Sequence, residues 1–310
     1  MDKFTCMVAL TKVVELGSFA EAARRMKVSA PMVTKYILNL EQNVVGTKLL
    51  NRSTHSLSLT EVGQLYHQRC VQILEDLEEA EAVAGSNSAV PRGSLKICVS
   101  GAFDLSHVGP VLLEYAARHA DVRLDVTVSN HFVDLVEEGF DLAVRASNDL
   151  RTNLTKRKLA TSRMVACASP AYLKRNPQPE IPENLLHHNC LALTDAAPTY
   201  QQWRFERDGR NSVVQALGTL RATSNELLKQ AALRGQGVTL QPTFNVHQEL
   251  KAGTLQQVLA DYDAGSLGIY VVYSPRRYLA TKVRSFIELL DGRWGTDPEA
   301  DPFWNGSHAP

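Results

Sequence analysis

The sequence predicts an α/β protein built in two parts. Three observations carry this. Short helical patterns and an alternating segment open the chain, a long heptad pattern follows, and from Ser94 strand and helix patterns alternate. At 310 residues the chain has room for two or three domains. Apolar residues make up 44% and charged residues 21%, the proportions of a packed globular protein, which excludes disordered, collagen-like and low-complexity classes. The net charge of zero conceals unequal parts. Residues 1–60 hold eight Lys/Arg and four Asp/Glu, residues 61–93 hold two and six, and the rest holds 23 of each. A basic head, an acidic connector and a neutral body follow.

The head reads as helices in close succession. Phe4, Met7, Val8, Leu10, Val13, Val14 and Leu16 have helical spacing, and Gly17 stops that helix. Ser18 opens a second helix as a capping box with Glu21. Ser29 is expected to cap a third, with Pro31 in its first turn. Val33, Ile37 and Leu40 form the third helix's buried stripe, leaving Pro31, Thr34, Lys35, Leu38 and Asn39 on or beside the other face. Leu57 and Leu59 then alternate with Ser56 and Ser58, as in a small two-stranded wing. Helix, turn, helix and wing together describe a winged helix-turn-helix.

Thr60 opens a long helix over 61–86. Gly63, Tyr66, Cys70, Ile73, Leu77, Ala80 and Ala84 are spaced alternately three and four apart, the seam of a coiled coil. Tyr66, Cys70, Ile73, Leu77 and Ala80 are therefore expected to pair with a second copy. Residues 87–93 make a hinge. Beyond it LKICVS, VRLDVTVS and FDLAVR read as strands, with helices at GPVLLEYAARHA and FVDLVEEG. MVACAS starts a new unit, followed by PAYLKRN, CLALT, QQWRFERDG, a long β stretch VVQALGTLRATS, helix NELLKQAALRG, strand GVTLQP and helix FNVHQELKAG. IYVVYS and LATKVRSFIELLDG close it. Such alternation predicts mainly parallel sheets covered on both faces. The tail from Gly295 to Pro310 reads as loose.

Five scattered cysteines without a CxxC argue against a disulfide framework and a zinc module. Lys12 and Glu15 interrupt the opening apolar stretch, so it is not a signal peptide. No run reaches the ~18 apolar residues of a membrane helix. A reducing cytoplasm and no membrane partner are expected.

Four blocks, ELGSFAEAARRMKVSAPMVTKYILNLE (15–41), LLNRSTHSLSLTEVG (49–63), FVDLVEEGFDLAVR (132–145) and CASPAYL (167–173) with ALRGQGVTLQP (232–242), resemble the LysR-type transcriptional regulators. The resemblance spans nearly the whole chain in the family's order. It implies a winged-helix reader over 1–60, a dimerising linker helix over 61–86, and over 94–294 a two-lobed effector-binding domain like a periplasmic binding protein. Lobe I takes 94–162 and 269–294, and lobe II takes 163–268. The chain crosses near Thr161–Arg163 and Leu267–Ile269. The implied partners are double-stranded promoter DNA, a small-molecule effector, further copies of the chain in a homodimer or homotetramer, and RNA polymerase.

By resemblance Ser18, Ser29, Ala30, Pro31, Thr34, Lys35, Arg52 and His55 contact DNA. The sequence departs from the family where Ala30 replaces a common Gln, His55 a common Arg, and Tyr36 and Leu38 polar or basic residues, which points to a weak purely electrostatic term. Effector contacts are expected beyond strand ends, at Ser100, Gly101, Ala102, Ser129, Asn130, Thr223, Ser224, Gln241 and Pro242. Ser224 can cap a helix whose free N–H groups suit an anion. Arg145 is the expected charge partner of an organic acid or aromatic carboxylate, or else a structural partner of Asp141 or of an acid in lobe II. His187, His188 and Cys190 imitate metal ligands without a fourth partner, and Gly235 and Gly237 form a lone GxG that ends a helix and opens a strand. Cys98 and Cys167 read as core residues. No GxSxG, Walker A, HExxH or nucleophile–base–orienter set argues for an enzyme, and no catalytic, cofactor or metal residue is assigned. A solute-binding protein would suit residues 94–294 alone, but not the winged helix.

Overall fold

The computed structural model describes residues 1–52, 57–84, 90–101, 103–129, 134–147, 153–194, 202–275 and 279–304. The chain divides into two units, Met1–Val90 and Pro91–Pro310.

In the first unit α1 (Lys3–Leu16) opens at Asp2, whose carboxylate accepts the N–H groups of Phe4 and Thr5, and stops at Gly17 in the left-handed conformation. The Ser18 hydroxyl caps α2 (Phe19–Met26) by accepting the Glu21 N–H at 3.3 Å. α3 (Ala30–Asn39) follows, but the Ser29 hydroxyl makes no cap bond. Pro31 has no N–H to offer, and the Ser29 carbonyl already accepts from Met32 at 3.0 Å and Val33 at 3.2 Å. β1 (Leu50–Arg52) and β2 (Leu57–Leu59) pair antiparallel as a wing. Leu10, Val13, Ala22, Val33, Ile37, Leu40 and Leu49 fill the core between them. The buried Glu41 carboxylate accepts the N–H groups of Leu49 at 2.9 Å and Leu50 at 3.2 Å, fixing the wing's first strand to the end of α3.

The Thr60 hydroxyl caps α4 (Glu61–Ala84) by accepting the Gly63 N–H at 2.9 Å. The expected seam divides along this helix. Cys70 is wholly enclosed in the core of its own unit, and Tyr66 packs against the same core. A Cβ at Gly63 would collide with the Leu49 carbonyl, so the helix rests directly on the chain entering the wing. Cys70 is therefore an internal core residue and not a contact with a second copy. Val62, Leu65, Ile73 and Leu77 stay exposed. Ala80 lies on α4, its side chain outside the described residues.

The second unit is organised by one nine-stranded sheet. β3 (Gly93–Val99) lies between β4 (Val122–Val128) and β5 (Leu142–Ala146), all parallel. β6 (Thr155–Ala168) and β13 (Ser266–Tyr273) pair antiparallel down the middle. β11 (Val238–Pro242), β7 (Cys190–Leu193) and β10 (Arg221–Ala222) complete the far side, with β12 (Gln256–Gln257) on β6. The sheet is thus mixed rather than mainly parallel, because the two strands that cross between lobes must run against their neighbours. MVACAS holds no separate strand: Met164–Ala168 continue the 14-residue β6 that begins at Thr155. The two crossings pair directly, Ser266 with Arg163 and Gly268 with Thr161.

α5 (Gly109–Arg118) and α9 (Thr281–Leu290) pack on the β3–β5 side, where Ile97, Val99, Tyr115, Val144, Val271 and Phe286 form one core. α7 (Asn225–Leu233) and α8 (Thr243–Lys251) cover one face of the other side. α6 (Pro170–Leu173) and the hairpin of β8 (Gln202–Arg207) with β9 (Arg210–Gln215) cover its other face. The stretch read as one long strand is therefore β9 and β10 with a break between them. The helix expected at FVDLVEEG is a turn where it is described, at 134–139. The Asp134 carboxylate accepts the N–H groups of Val136 at 2.9 Å and Glu137 at 3.0 Å, and Gly139 turns left-handed before a second turn can form.

The tail is packed where it is described, up to Trp304. The Thr161 N–H donates to the Ala300 carbonyl at 3.2 Å and its hydroxyl to that of Pro298 at 2.9 Å. The Asp301 carboxylate accepts from the Arg163 N–H at 2.8 Å and the Thr243 hydroxyl at 2.6 Å. Phe303 joins the core of the β3–β5 side and Trp304 that of the α7–α8 side. Two aromatic side chains and the strand-like hydrogen bonds outweigh a polar, Pro-rich composition.

Candidate nucleic-acid interface and interlobe site

Val33, Ile37 and Leu40 face the core of the first unit and fix the rotation of α3. Pro31, Lys35 and Leu38 are directly opposite and exposed, with Met32 and Thr34 flanking them. The Thr34 hydroxyl donates to the Ala30 carbonyl at 3.2 Å. Ala30 itself is half-buried at the helix start and Ser29 is exposed before it. Tyr36 packs against the core instead of joining the exposed face. Arg52 ends β1 with its side chain outside the described residues, and His55 lies outside them altogether.

In the second unit the parallel strands end in hydroxyl residues. The Ser100 N–H donates to the Val144 carbonyl at 2.9 Å and the Ser129 N–H to the Val99 carbonyl at 3.0 Å. These bonds set both serines at the carboxyl ends of β3, β4 and β5, with Gly101 following; Ala102 and Asn130 lie outside the described residues. Across the sheet, Thr223 and Ser224 follow β10, and the Ser224 hydroxyl caps α7 by accepting the Leu227 N–H at 3.3 Å. The two sets of strand ends converge. Phe103, just past β3, meets Phe244, just past β11, with ring centroids 5.1 Å apart, and His107 Nε2 lies 2.9 Å from the Phe244 carbonyl. Phe303 of the tail completes this aromatic cluster, 5.0 Å from His107.

Arg145 alternates with Val144 and so leaves the main core for the face that holds Cys98, Ala143 and Val272. Its guanidinium stands beside the Cys98 thiol, which burial pushes up and this arginine pulls back. Asp141, the suggested ion-pair partner, accepts the Lys96 N–H at 2.9 Å. Gln241 is fully buried. Its amide donates to Thr239 Oγ1 at 2.8 Å and accepts from Asn245 at 3.0 Å, so it braces α8, while Pro242 is buried at that helix's start.

The comparisons with known proteins bear on both units. Residues 5–64 match the model of the bacterial regulatory helix-turn-helix protein, lysR family, and residues 88–295 match the LysR substrate binding domain. The chain belongs to the LysR-type transcriptional regulators. The transcriptional activator TtdR of Escherichia coli K12 is 31% identical over 281 residues, covering 91% of this chain and 90% of TtdR. DmlR of the same organism is 32% identical over 280 residues, 90% of each. Among solved structures, CrgA of Neisseria meningitidis is 28% identical, covers 92% of this chain and 97% of its own, and has a TM-score of 0.60. The Vibrio cholerae virulence activator AphB is 26% identical, covers 94% and 98%, and has a TM-score of 0.59.

Several features of this LysR-type regulator gain their explanation from its core. His188 Nδ1 lies 3.1 Å from the Tyr172 hydroxyl and the Cys190 thiol 3.5 Å from the Leu185 carbonyl, so two of the three apparent ligands are bonded internally, while His187 is exposed. Among the described residues no His/Cys/Asp/Glu cluster is set to hold a metal, and no helix is long and apolar enough to cross a membrane. All five cysteines are buried, and burial raises the Cys167 and Cys190 thiols to about 12. Gly235 turns left-handed after α7, and a Cβ at Gly237 would collide with the Asn189 carbonyl.

Sequence reasoning missed Glu41 and Thr194. Thr194 follows β7, its N–H bonded to the Ala222 carbonyl at 2.8 Å, and among the described residues its buried hydroxyl has no hydrogen-bond partner. One threonine after a short apolar strand carries no sequence signal. It becomes legible only once β7 is seen beside β10, next to Thr223.

Proposed function

We propose that this regulator binds promoter DNA as a homodimer or homotetramer in the cytoplasm. A small organic acid between lobes 94–162 with 269–294 and 163–268 switches it, and it acts on RNA polymerase. The reader spans 1–60, the linker helix 61–86 and the hinge 87–93. The observation that carries this reading is the meeting of two sets of hydroxyl-bearing strand ends at Phe103 and Phe244, in a chain whose head presents a free helix face. Strand ends at such a switch point are where sheets of this kind take ligands.

DNA contacts come from Ser18, Ser29, Ala30, Pro31, Thr34 and Lys35, with Arg52 and His55 on the wing. The effector meets Ser100, Gly101 and Ser129 in one lobe and Thr194, Thr223 and the capped start of α7 in the other, together with Ala102 and Asn130. A carboxylate draws on Arg145. An oxygen-rich ligand also supplies a partner for the Thr194 hydroxyl, which has none among the described residues. Val62, Leu65, Ile73, Leu77 and Ala80 form the surface that meets a second copy.

A thermal-shift screen of organic acids on wild type, Arg145→Ala and Ser100→Phe tests the effector. Acids should stabilise the wild type, weakly stabilise Arg145→Ala and leave Ser100→Phe unchanged. Neutral or cationic hits, or equal response of Arg145→Ala, would refute the anion. For DNA, Lys35→Ala and Thr34→Ala should each weaken binding in gel shifts by about 1–3 kcal/mol with unchanged circular dichroism. Wild-type affinity in both would move the reading surface elsewhere.

A further inference from the structure

We infer that this regulator recognises its operator through the C5-methyl groups of thymines, read by Leu38 together with Pro31, Met32 and the methyl of Thr34. The inference rests on α3 being the helix that enters the major groove.

Residues advance 100° around a helix, so the buried set Val33, Ile37 and Leu40 places Pro31, Lys35 and Leu38 within about 50° of the opposite pole. Exposure agrees, with Met32 40% and Leu38 38% exposed. Lys35 is the one charged residue between Ala30 and Asn39. The polar groups nearby are largely spent. The Thr34 hydroxyl donates to Ala30, so its methyl is the part of this half-buried side chain without a bond to make, and Asn39 bonds the Cys6 thiol and Asn43. Tyr36 is half-buried against the core.

What remains is a ridge of hydrocarbon around a single ammonium. In the major groove, hydrogen-bonding edges identify guanine, adenine and cytosine, and the apolar landmark is the thymine methyl. A ridge with little to offer the polar edges discriminates by excluding water from methyls and by leaving unpaired any polar edge put in their place. Met32 and Leu38 still leave 40% and 38% of their surface to solvent, apolar area that a thymine methyl can cover.

The test begins with the duplex that full-length protein selects from a random-sequence pool. The selected half-sites should carry thymines at fixed positions. Replacing those thymines by deoxyuridine removes only the methyl. Each replacement should weaken binding roughly fourfold, the factor attached to burying one methyl-sized group. Leu38→Ala should lower affinity for the thymine duplex and lose most of its sensitivity to uracil at one position per half-site. Leu38→Gln, equally compatible with an exposed helix position, should select a different base there. Unchanged affinity for the fully uracil-substituted duplex, or Leu38→Ala retaining the wild-type uracil penalty at every position, would overturn the inference. Failure of the wild type to select any sequence would overturn the groove placement of α3 itself, a distinct result.

Discussion

Helix α4 and the C-terminal tail are both peripheral segments, and each is used differently from what its pattern announces. The heptad spacing of α4 runs evenly from Gly63 to Ala84. Its first part nevertheless belongs to the fold: Cys70 is enclosed and Tyr66 packed, while Ile73 and Leu77, further along, meet solvent. The tail has no apolar period, yet Phe303 and Trp304 are wedged into two different cores and Asp301 holds two donors. Periodicity says that a side chain will be covered, and nothing about whether the cover is the same chain or a copy. Absence of periodicity says only that the segment is neither helix nor regular strand.

The sharpest way to break this contrast is along α4. Cys70→Glu buries a charge without a partner and should destabilise the first unit by about 4 kcal/mol, read as early unfolding and lost DNA binding. Leu77→Glu should leave that unit folded and instead raise the dimer dissociation constant about 10–100-fold in light scattering, the worth of one buried leucine. If both variants fail in the same way, the helix has one role and the division is wrong.

The tail comes next. Phe303→Ala should cost the second unit about 2 kcal/mol in denaturant unfolding, less than a fully buried phenylalanine because the ring is only partly covered. Asp301→Ala should cost about 1.5–3 kcal/mol through the Arg163 N–H and the Thr243 hydroxyl it leaves behind. Wild-type stability in both would return the tail to the loose segment its composition suggests.

The smallest effect is chemical. Burial raises the Cys70 thiol to about 11. A raised value means that the reactive thiolate is scarce below that pH, so alkylation at pH 8 should be far slower than for an exposed cysteine near its usual 8.5. Labelling should appear only as the unit unfolds. Rapid modification of native Cys70, located by mass spectrometry, would put it on the surface.

Much of the head was legible because its signals are local. Ser18, Thr60 and Gly17 act on neighbours within one helical turn, and Val33, Ile37 and Leu40 declare a face by spacing alone. Ser29 takes the N-cap position of α3 with extended backbone, but its hydroxyl makes no cap bond for an equally local reason, since Pro31 removes an N–H that a cap would bind. In the second unit the strand ends at Ser100 and Ser129 and the helix start at Ser224 could be anticipated from alternation, whereas the paired crossings came from the family resemblance. The unbroken run of β6 could not, because its first half is paired by β13 and its second by β11 and β12, all far later in the chain. Thr194, Gln241 and Asp301 escaped for the same reason. Their roles depend on partners that only the folded sheet brings alongside.

The discontinuous first lobe has a consequence for biosynthesis. β5 has β3 on one side but lacks its second neighbour until β13 is made, and Thr161 and Arg163 lack their tail partners until Ala300 and Asp301 are made. The head, by contrast, closes its contacts within the first 84 residues. At about 5–20 residues per second, the ribosome spends roughly 10–40 s between completing the head and supplying the last strand and tail. Through that interval a finished reading head is tethered to a lobe with an open sheet edge. Its capacity to bind DNA therefore precedes its capacity to be regulated, and a chain arrested before Ser266 is a reader without a switch.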